Sequence, residues 1–424
     1  MIAMTYDEAI EYIHSVCWMG SRPGLSRITE LCARLGNPEK SLKCIHIGGT
    51  NGKGSTSAFL TSILRTAGYK VGSFTSPYVR TFNERIAING EPVDNGILAE
   101  VVEYVRPYAD AMEDRPTEFE LISAIGFEIF KRENVDIVVL EVGMGGRFDS
   151  TNVIESPLVS VITGIAFDHM GILGDTLAKI AWEKAGILKK NCPAVLAELQ
   201  SEAREVFDRE AKEKGSELFT VSPSEIVLKE ISLRGITMDY KERKNIKTSL
   251  IGEYQQRNIA LVCEVVDMLR TVGYDVSEDA LYRGIAAAKW PARFELLMDD
   301  PVVVFDGGHN EEGVASAIET AKKVFGGEKP VVLTGVMADK AYEKMVSMIA
   351  GVASEVFTLK PDNPRALDAE QLAAVYRKYG VKATSGDSIA DALSKARDDA
   401  KQQKKPLLIL GSLYLYKDVY KEFE

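Results

Sequence analysis

The stretch Cys44-Ile45-His46-Ile47-Gly48-Gly49-Thr50-Asn51-Gly52-Lys53-Gly54-Ser55 decides how the chain is read. A short apolar run reads as a buried strand; a glycine-rich turn follows at once, then a helical pattern through about Ala67. A helix start exposes unbonded N–H groups at the positive end of its dipole, so phosphate oxygens bind there. Glycines let the backbone wrap closely around those oxygens, and Lys53 can reach the terminal phosphates. Ser55 can face a metal or a phosphate. The loop departs from the usual G-x-x-x-x-G-K-[ST]: it is shorter before Gly52, and Gly54 separates the lysine from the hydroxyl. The alternative is an ordinary glycine-rich turn, which the flanking strand and helix argue against.

Working outward, the first forty residues read as two helices, the first capped by Thr5, the second carrying Leu25, Ile28, Leu31, Cys32 and Leu35 and stopping at Gly36. A strand over Lys70–Phe74, a hairpin turn at Asn89-Gly90 and two helices follow, the second opening on a Thr117/Glu120 capping box. Val135–Val142 is a near-continuous apolar run, as expected of a parallel strand covered on both faces. Leu158–Thr163 and Ala194–Ala197 predict strands with a helix over Thr176–Lys189 between them, and residues 217–250 an antiparallel flap. Helices are expected over Glu253–Val272 and Glu278–Ala288. After Trp290-Pro291 the α/β rhythm restarts, with strands at Val302–Phe305, Val331–Thr334, Glu355–Leu359, Val381–Thr384 and Leu407–Leu410. The expected fold class is α/β: a large P-loop NTPase-like parallel-sheet domain plus a smaller Rossmann-like α/β C-terminal domain. The boundary falls near 293–298, giving 1–295 and 296–424.

A chain of 424 residues fits two or three domains at roughly 150 residues each. Its 46% hydrophobic and 27% charged content excludes a disordered chain or a small disulfide scaffold. The net charge of −11 argues against broad nucleic-acid binding, which needs a basic face, but not against a small anion held by local amides. The five cysteines are scattered and never spaced C-x-x-C, so free thiols in a reducing compartment are expected. The N-terminus lacks a signal-peptide pattern, and no apolar run is long enough to span a bilayer; a cytoplasmic protein without membrane partners is expected.

A nucleoside triphosphate needs Mg²⁺, and its ligands are sought at the carboxyl ends of neighbouring strands. Glu141 closes the best strand just before Gly143-Met144-Gly145-Gly146, so it either meets a cation or pairs with Arg147. Asp168-His169 likewise follows a strand, with a ligand role and a structural role both open.

Taken together the motifs resemble one family. Gly49–Ser55, Thr75-Ser76-Pro77, Asn83-Glu84-Arg85-Ile86, Leu140–Arg147, Asp149 with Thr151-Asn152-Val153, Asp168-His169 and Trp182–Ile187 occur in the order seen in folylpolyglutamate and dihydrofolate synthases of the Mur-ligase superfamily. Pro291–Glu295, Asp306–Asn310, Asp339-Lys340 and Gly411-Ser412-Leu413 extend the resemblance through the second domain. It implies an ATP-dependent ligase that phosphorylates a folate-type carboxylate and joins the acyl phosphate to L-glutamate. ATP and Mg²⁺ (one or two ions, a monovalent cation being allowed) are the implied cofactors; folate or dihydropteroate and L-glutamate are the implied substrates, and a monomer is expected.

The resemblance also assigns roles. Gly49, Thr50, Asn51, Gly52, Lys53, Gly54 and Ser55 would hold the ATP phosphates, with Asn258, Arg293 and Asp306 at the adenosine end. Ser76, Glu141 and His169 match magnesium ligands. Lys53, His169 and Lys184 are the implied catalytic residues, Lys184 matching a lysine that becomes carbamylated. The pterin side would use Arg22, Pro23, Thr117, Phe119, Glu120, Phe148, Asp149 and Ser150, and His309 would lie near the incoming glutamate. Tyr78 after Ser76-Pro77, Gly308 in the Asp306–His309 turn and Ser150 after Asp149 depart from the usual pattern; the first and last bear on which pterin is accepted. The alternatives are a Mur-superfamily ligase with another acceptor, or a P-loop nucleotide switch without ligase activity.

Overall fold

The computed structural model describes residues 4–16, 23–338 and 342–423. It divides into two compact units, one built from Met1–Ser224 and Arg257–Ala288, the other from Glu225–Gln256 and Lys289–Glu424.

In the first unit, helix α1 (Tyr6–Ser15) opens on the expected Thr5 cap, with Glu8 completing a capping box. Helix α2 (Ser26–Arg34) precedes β1 (Cys44–Gly48), and the glycine-rich loop leads into α3 (Lys53–Thr66). Strand β2 (Val71–Phe74) pairs with a short hairpin, β3 (Ile86–Ile88) and β4 (Glu91–Pro92), whose Asn89 and Gly90 both take positive φ, as a two-residue turn requires. Helices α4 (Asn95–Asp110) and α5 (Glu118–Arg132) come next, α5 opening on the Thr117/Glu120 box. Then follow β5 (Ile137–Glu141), β6 (Val159–Ile162), the short α6 (Met170–Leu173), α7 (Leu177–Lys184), β7 (Ala194–Leu196), α8 (Ser201–Lys214) and β8 (Leu218–Thr220).

The eight strands form one sheet in the order β4-β3-β2-β5-β1-β6-β7-β8, parallel from β2 to β8. All residues of β1, β5 and β6 are buried, the signature of a sheet covered on both faces. One core joins α1, α2, α4 and α5 to Phe74, Val138 and Leu140. Strand β1 is central, with β5 on one side and β6 on the other, so the chain leaves its neighbours in opposite directions. Such a switch point opens a crevice at the carboxyl ends of the strands, where the loop lies.

Helices α9 (Gln255–Thr271) and α10 (Glu278–Ala287) complete this unit, apart from the first two residues of α9. Gly284 on α10 lies so close to Ile63 of α3 that an added Cβ would collide with the Ile63 backbone.

The second unit contains an antiparallel meander, β9 (Ile226–Ser232), β10 (Gly235–Tyr240) and β11 (Arg243–Thr248). Its main sheet runs β12 (Glu295–Asp299), β13 (Val302–Asp306), β17 (Leu407–Leu410), β14 (Val331–Thr334), β15 (Glu355–Thr358), β16 (Ala383–Ser385), with only β12 antiparallel. Helices α11 (Glu311–Val324), α12 (Tyr342–Val352), α13 (Ala369–Lys378) and α14 (Ile389–Gln403) connect these strands, and α15 (Tyr416–Lys421) ends the chain.

Three features differ from the expected layout. Residues 225–256 belong with the second unit, because Ile251 enters the core formed by Phe294, Val304 and Val332, and Glu253 pairs with Lys323 at 2.7 Å. Strand β8 joins the large sheet through Leu218 and Phe219 beside Ala194 and Val195 instead of entering the flap. Helix α8, which crosses between β7 and β8, hides its apolar spacing (Ala203, Val206, Phe207, Ala211) among nine charged residues and was not expected. Cys32, Cys44, Cys192 and Cys263 are free, and Cys17 lies outside the described residues. Among the described residues no helix is long and apolar enough to cross a membrane.

Gly284→Ala should lower unfolding stability by ~1–3 kcal/mol through overpacking of α10 on α3, measured by urea denaturation.

Candidate functional site

The loop after β1 is clamped by the segment that follows β6. Thr163 Oγ1 donates to Asn51 O at 2.6 Å, Thr50 N donates to Gly164 O at 2.9 Å, and the Thr50 hydroxyl bonds both the N–H and the carbonyl of Ala166. Gly49 (φ 138°) and Gly52 (φ 88°) need their glycines twice over. A Cβ on Gly49 would collide with the Thr163 hydroxyl, and one on Gly52 would lie 2.6 Å from Asn258 Oδ1. Asn258, expected at the nucleotide, is therefore packed against the loop. Thr163–Ala166 went unnoticed in the sequence; its signal is position alone, at the carboxyl end of the strand beside β1.

No side chain caps α3, so Lys53, Gly54 and Ser55 present its first backbone amides at the positive end of the helix. Ser55 is buried. Lys53 Nζ donates to Gly49 O at 3.3 Å and Thr50 O at 3.2 Å. Lys184, the last residue of α7, is 5% exposed and donates to the same Gly49 carbonyl at 2.7 Å. A solvated helix lysine is thereby excluded. Burial first, then the charge of Lys53, push the Lys184 ammonium down to about 7, against the pull of Asp168, Asp149 and Glu183. At neutral pH a large share of Lys184 is the uncharged, nucleophilic amine.

Glu141 ends β5 and is buried. The alternative that it pairs with Arg147 is not what the structure shows: Arg147 Nη2 donates to Glu210 Oε2 at 2.8 Å and to Trp182 O at 3.0 Å, with its guanidinium 3.9 Å from the Trp182 ring centre. Glu210 on α8 was not anticipated, since no local pattern links positions so far apart. Past Glu141 the loop packs tightly. A Cβ on Gly143 would enter the Phe119 ring, and one on Gly146 would come within 3.0 Å of the Glu183 and Lys184 carbonyls. Asp149 is buried and fixes this loop, accepting from Met144 N at 2.9 Å, Thr151 N at 3.0 Å and Thr151 Oγ1 at 2.6 Å. Burial raises its pKa and these bonds hold it down.

The other pterin-side candidates are scattered in character. Glu120 Oε2 already accepts from Thr117 N (2.7 Å), Thr117 Oγ1 (3.0 Å) and Arg27 Nε (3.0 Å), so Thr117 and Glu120 are engaged in closing the start of α5. Ser150 is buried against Ser123 at 2.6 Å. Phe148 is exposed, its ring 6.4 Å from Trp182. Pro23 is exposed, and Arg22 lies outside the described residues.

Ser76, half-buried, follows β2. His169 takes a left-handed conformation (φ 49°), its side chain is nearly half exposed, and its N–H is fixed by Asp168 Oδ1 at 2.9 Å. Among the described residues no three His, Cys, Asp or Glu side chains form a ready cluster for a metal. Mg²⁺ does not need one, because it retains several waters and takes only one or two carboxylates. The buried strand-end carboxylate of Glu141 and the hydroxyls of Ser55 and Ser76 are hard-oxygen donors, the chemistry Mg²⁺ takes.

In the second unit, Asp306 ends β13 and is buried, accepting from Gly308 N (2.8 Å), Phe294 N (2.9 Å) and the Tyr254 hydroxyl (3.3 Å). Burial raises its pKa while Arg293 lowers it. Arg293 sits between Ala292 (φ 59°) and Phe294 (φ 45°), both left-handed. His309 Nδ1 donates to Gly307 O at 3.0 Å, which fixes its tautomer, and Asn310 caps α11. Asp339 and Lys340 lie outside the described residues.

Comparison with known proteins places the chain in a family. Residues 47–266 match the Mur ligase middle domain and residues 292–413 the Mur ligase glutamate ligase domain. The chain is 39% identical over 430 residues to a dihydrofolate synthase/folylpolyglutamate synthase of Bacillus subtilis, covering 99% of both chains. A Mycobacterium tuberculosis folylpolyglutamate synthase complexed with ADP superposes with a TM-score of 0.90 at 28% identity, covering 99% of this chain and 98% of that one. A folylpolyglutamate synthase–AMPPCP–folate complex superposes with a TM-score of 0.86 at 32% identity, covering 99% of both chains.

Thr163→Val removes the hydroxyl that holds Asn51 O without changing side-chain shape. It should weaken AMPPCP binding by about tenfold while unfolding remains cooperative, as read by calorimetry and thermal melting.

Proposed function

The chain belongs to the folylpolyglutamate and dihydrofolate synthase family of Mur ligases, and on that premise we propose how its residues carry out the ligation. The protein is an ATP-dependent ligase that adds L-glutamate to a folate-type carboxylate. A carboxylate oxygen attacks the γ-phosphorus and ADP leaves; the glutamate amine then attacks the acyl carbon, phosphate leaves, and the amine gives up a proton. Little covalent chemistry falls to the protein, so positioning and charge neutralisation do most of the catalysis.

The observation that carries this reading is the convergence of Lys53 and Lys184 on the Gly49 carbonyl at the start of the phosphate loop. Lys53 swings from that carbonyl to the β- and γ-phosphates, which the amides of Gly49–Ser55 cradle. Asn258 lines the nucleotide beside Gly52, and Arg293 and Asp306 serve its adenosine end. Mg²⁺ would be held by Ser76, Glu141 and His169, with Ser55 nearby, and when bound it neutralises charge on the transferring phosphoryl group. Phe119, Phe148, Asp149 and Ser150 line the pterin side with Pro23, Thr117 and Glu120 around them, Arg22 is assigned there by the resemblance alone, and His309 orients the incoming glutamate. In this reading the phosphate loop and the metal ligands belong to the unit built from Met1–Ser224 and Arg257–Ala288, while the other unit supplies Arg293, Asp306 and the glutamate-side His309. One chain carries the whole set, so the active unit is a monomer, and its free thiols suit the cytoplasm.

Lys184 is the modified residue. Its uncharged amine attacks CO₂, forming an N–C bond and releasing a proton, and the carbamate replaces a cation beside Lys53 with an anion. Near Lys53 that change of sign turns repulsion into attraction.

With ATP, Mg²⁺ and glutamate, dihydropteroate or tetrahydrofolate should gain one glutamyl mass unit per phosphate released. Phosphate release without that gain for any pterin would defeat the ligase reading, and the pattern of accepted pterins decides between the two activities. Lys53→Ala should abolish turnover in a folded protein; near-normal rates would mean that the loop is misassigned.

A second expectation concerns pH. The folded-state pKa of Lys184 is lowered to about 7, so the unmodified folded protein binds fewer protons than the unfolded chain from about pH 7 to the ordinary lysine range. Its stability contribution should therefore rise with pH through that window and be flat below it. At a fixed partial pressure of ¹³CO₂, the carbamate signal should grow as pH rises through about 7 and be missing in Lys184→Ala.

A further inference from the structure

We propose that His46 is a positioning residue for the ligation, acting through Thr151 on Asp149 to hold the Gly143–Arg147 loop. His46 lies in the middle of β1 and is 0% exposed. Its Nε2 is 2.9 Å from Thr151 Oγ1, which is 2.6 Å from Asp149 Oδ1. The other Asp149 oxygen accepts from Met144 N at 2.9 Å. Three side chains thus join the strand that carries the phosphate loop to the loop that follows Glu141.

The direction of the protons is fixed. Asp149 accepts from backbone amides at both oxygens, so the short contact is a Thr151 hydroxyl donating to it. That hydroxyl must then accept from His46, which places the ring proton on Nε2. Burial and the nearby Lys189 charge push the imidazole down to about 3, so the ring carries this single proton at any working pH. Nδ1 is left as a buried acceptor with no hydrogen-bond partner. An aliphatic side chain would fill a buried strand position without that penalty, as Ile45 and Ile47 do on either side. What His46 adds is the Nε2–H bond. With the Thr151 hydroxyl held, Asp149 has one orientation, and the Met144 amide and the turn toward Lys184 follow from it.

The kinetic side of this inference rests on the ligase reading above; the structural side does not. The test uses His46→Leu, His46→Gln, Thr151→Val and the His46→Leu/Thr151→Val double variant. Hydrogen exchange at the Met144 amide should speed up by about tenfold in His46→Leu and Thr151→Val, while the β1 and β5 amides keep their protection. In the same variants kcat/KM for the pterin substrate should fall by about tenfold or more with KM for ATP nearly unchanged. Glutamine can donate from the same place, so His46→Gln should recover much of the loss. The double variant removes both partners of the His46–Thr151 bond and should regain stability relative to Thr151→Val without regaining activity.

Unchanged Met144 exchange in both single variants would overturn the proposal. So would activity that returns together with stability in the double variant, because His46 would then be a core residue only. If the wild type itself yields no glutamyl product, the ligase reading fails, while the exchange data still decide whether the relay exists.

Discussion

The Gly49 carbonyl, which accepts from both Lys53 and Lys184, is the contact on which the site depends. Burial first, and then the repulsion of Lys53 across the shared oxygen, make Lys184 lose its proton more readily. The surrounding architecture keeps that carbonyl in place. Strand β1 is held between β5 and β6, Thr163 and Gly164 clamp the loop from the β6 side, and the positive φ of Gly49 turns its carbonyl toward both lysines. The net charge of −11 says nothing about this point, where the Lys53 ammonium and the positive end of a helix are concentrated.

Elements legible in the sequence are those whose signal is local. The phosphate loop, the Thr5 cap, the Thr117 capping box, the Asn89-Gly90 turn and the apolar run of β5 each declare themselves within a few residues. What escaped depends on distant partners. Arg147 meets Glu210 rather than Glu141, and Glu120 is taken up by Arg27. Helix α8 is so charged that its narrow apolar stripe does not stand out. Strand β12 lies where the domain boundary was expected and carries no strand signal of its own, because its acidic ends flank only three apolar residues. The burial of Lys184 is likewise invisible from a short helix whose other positions are ordinary, and only the family resemblance singled it out.

The same limit governs the division of the chain. The antiparallel meander at 226–248 was recognised by its alternation, but its allegiance to the second unit is set by a few tertiary contacts. Ile251 supplies the apolar one; Glu253 adds an ion pair to Lys323 and a backbone N–H donated to the Thr320 hydroxyl. None of these has a sequence signature, because each joins positions more than forty residues apart.

The turn around Arg293 shows how the direction of one residue can be set by its neighbours. Ala292 and Phe294 both hold left-handed backbone, at a cost of ~1 kcal/mol or more for each non-glycine residue. Such a conformation persists only where surroundings impose it. Here Gly307 N donates to Ala292 O at 2.9 Å, and the Asp306 carboxylate takes Phe294 N at 2.9 Å. Tyr254 donates to the same Asp306 oxygen, and it fits because Gly252 has no side chain: a Cβ there would stand 2.7 Å from the Tyr254 ring. The direction of Arg293 is thus fixed by a chain of contacts running from Gly252 through Tyr254 and Asp306. Asp306 therefore acts as the clasp of a strained turn whatever else it touches, and the aim of Arg293 depends on a buried carboxylate already occupied by its own backbone.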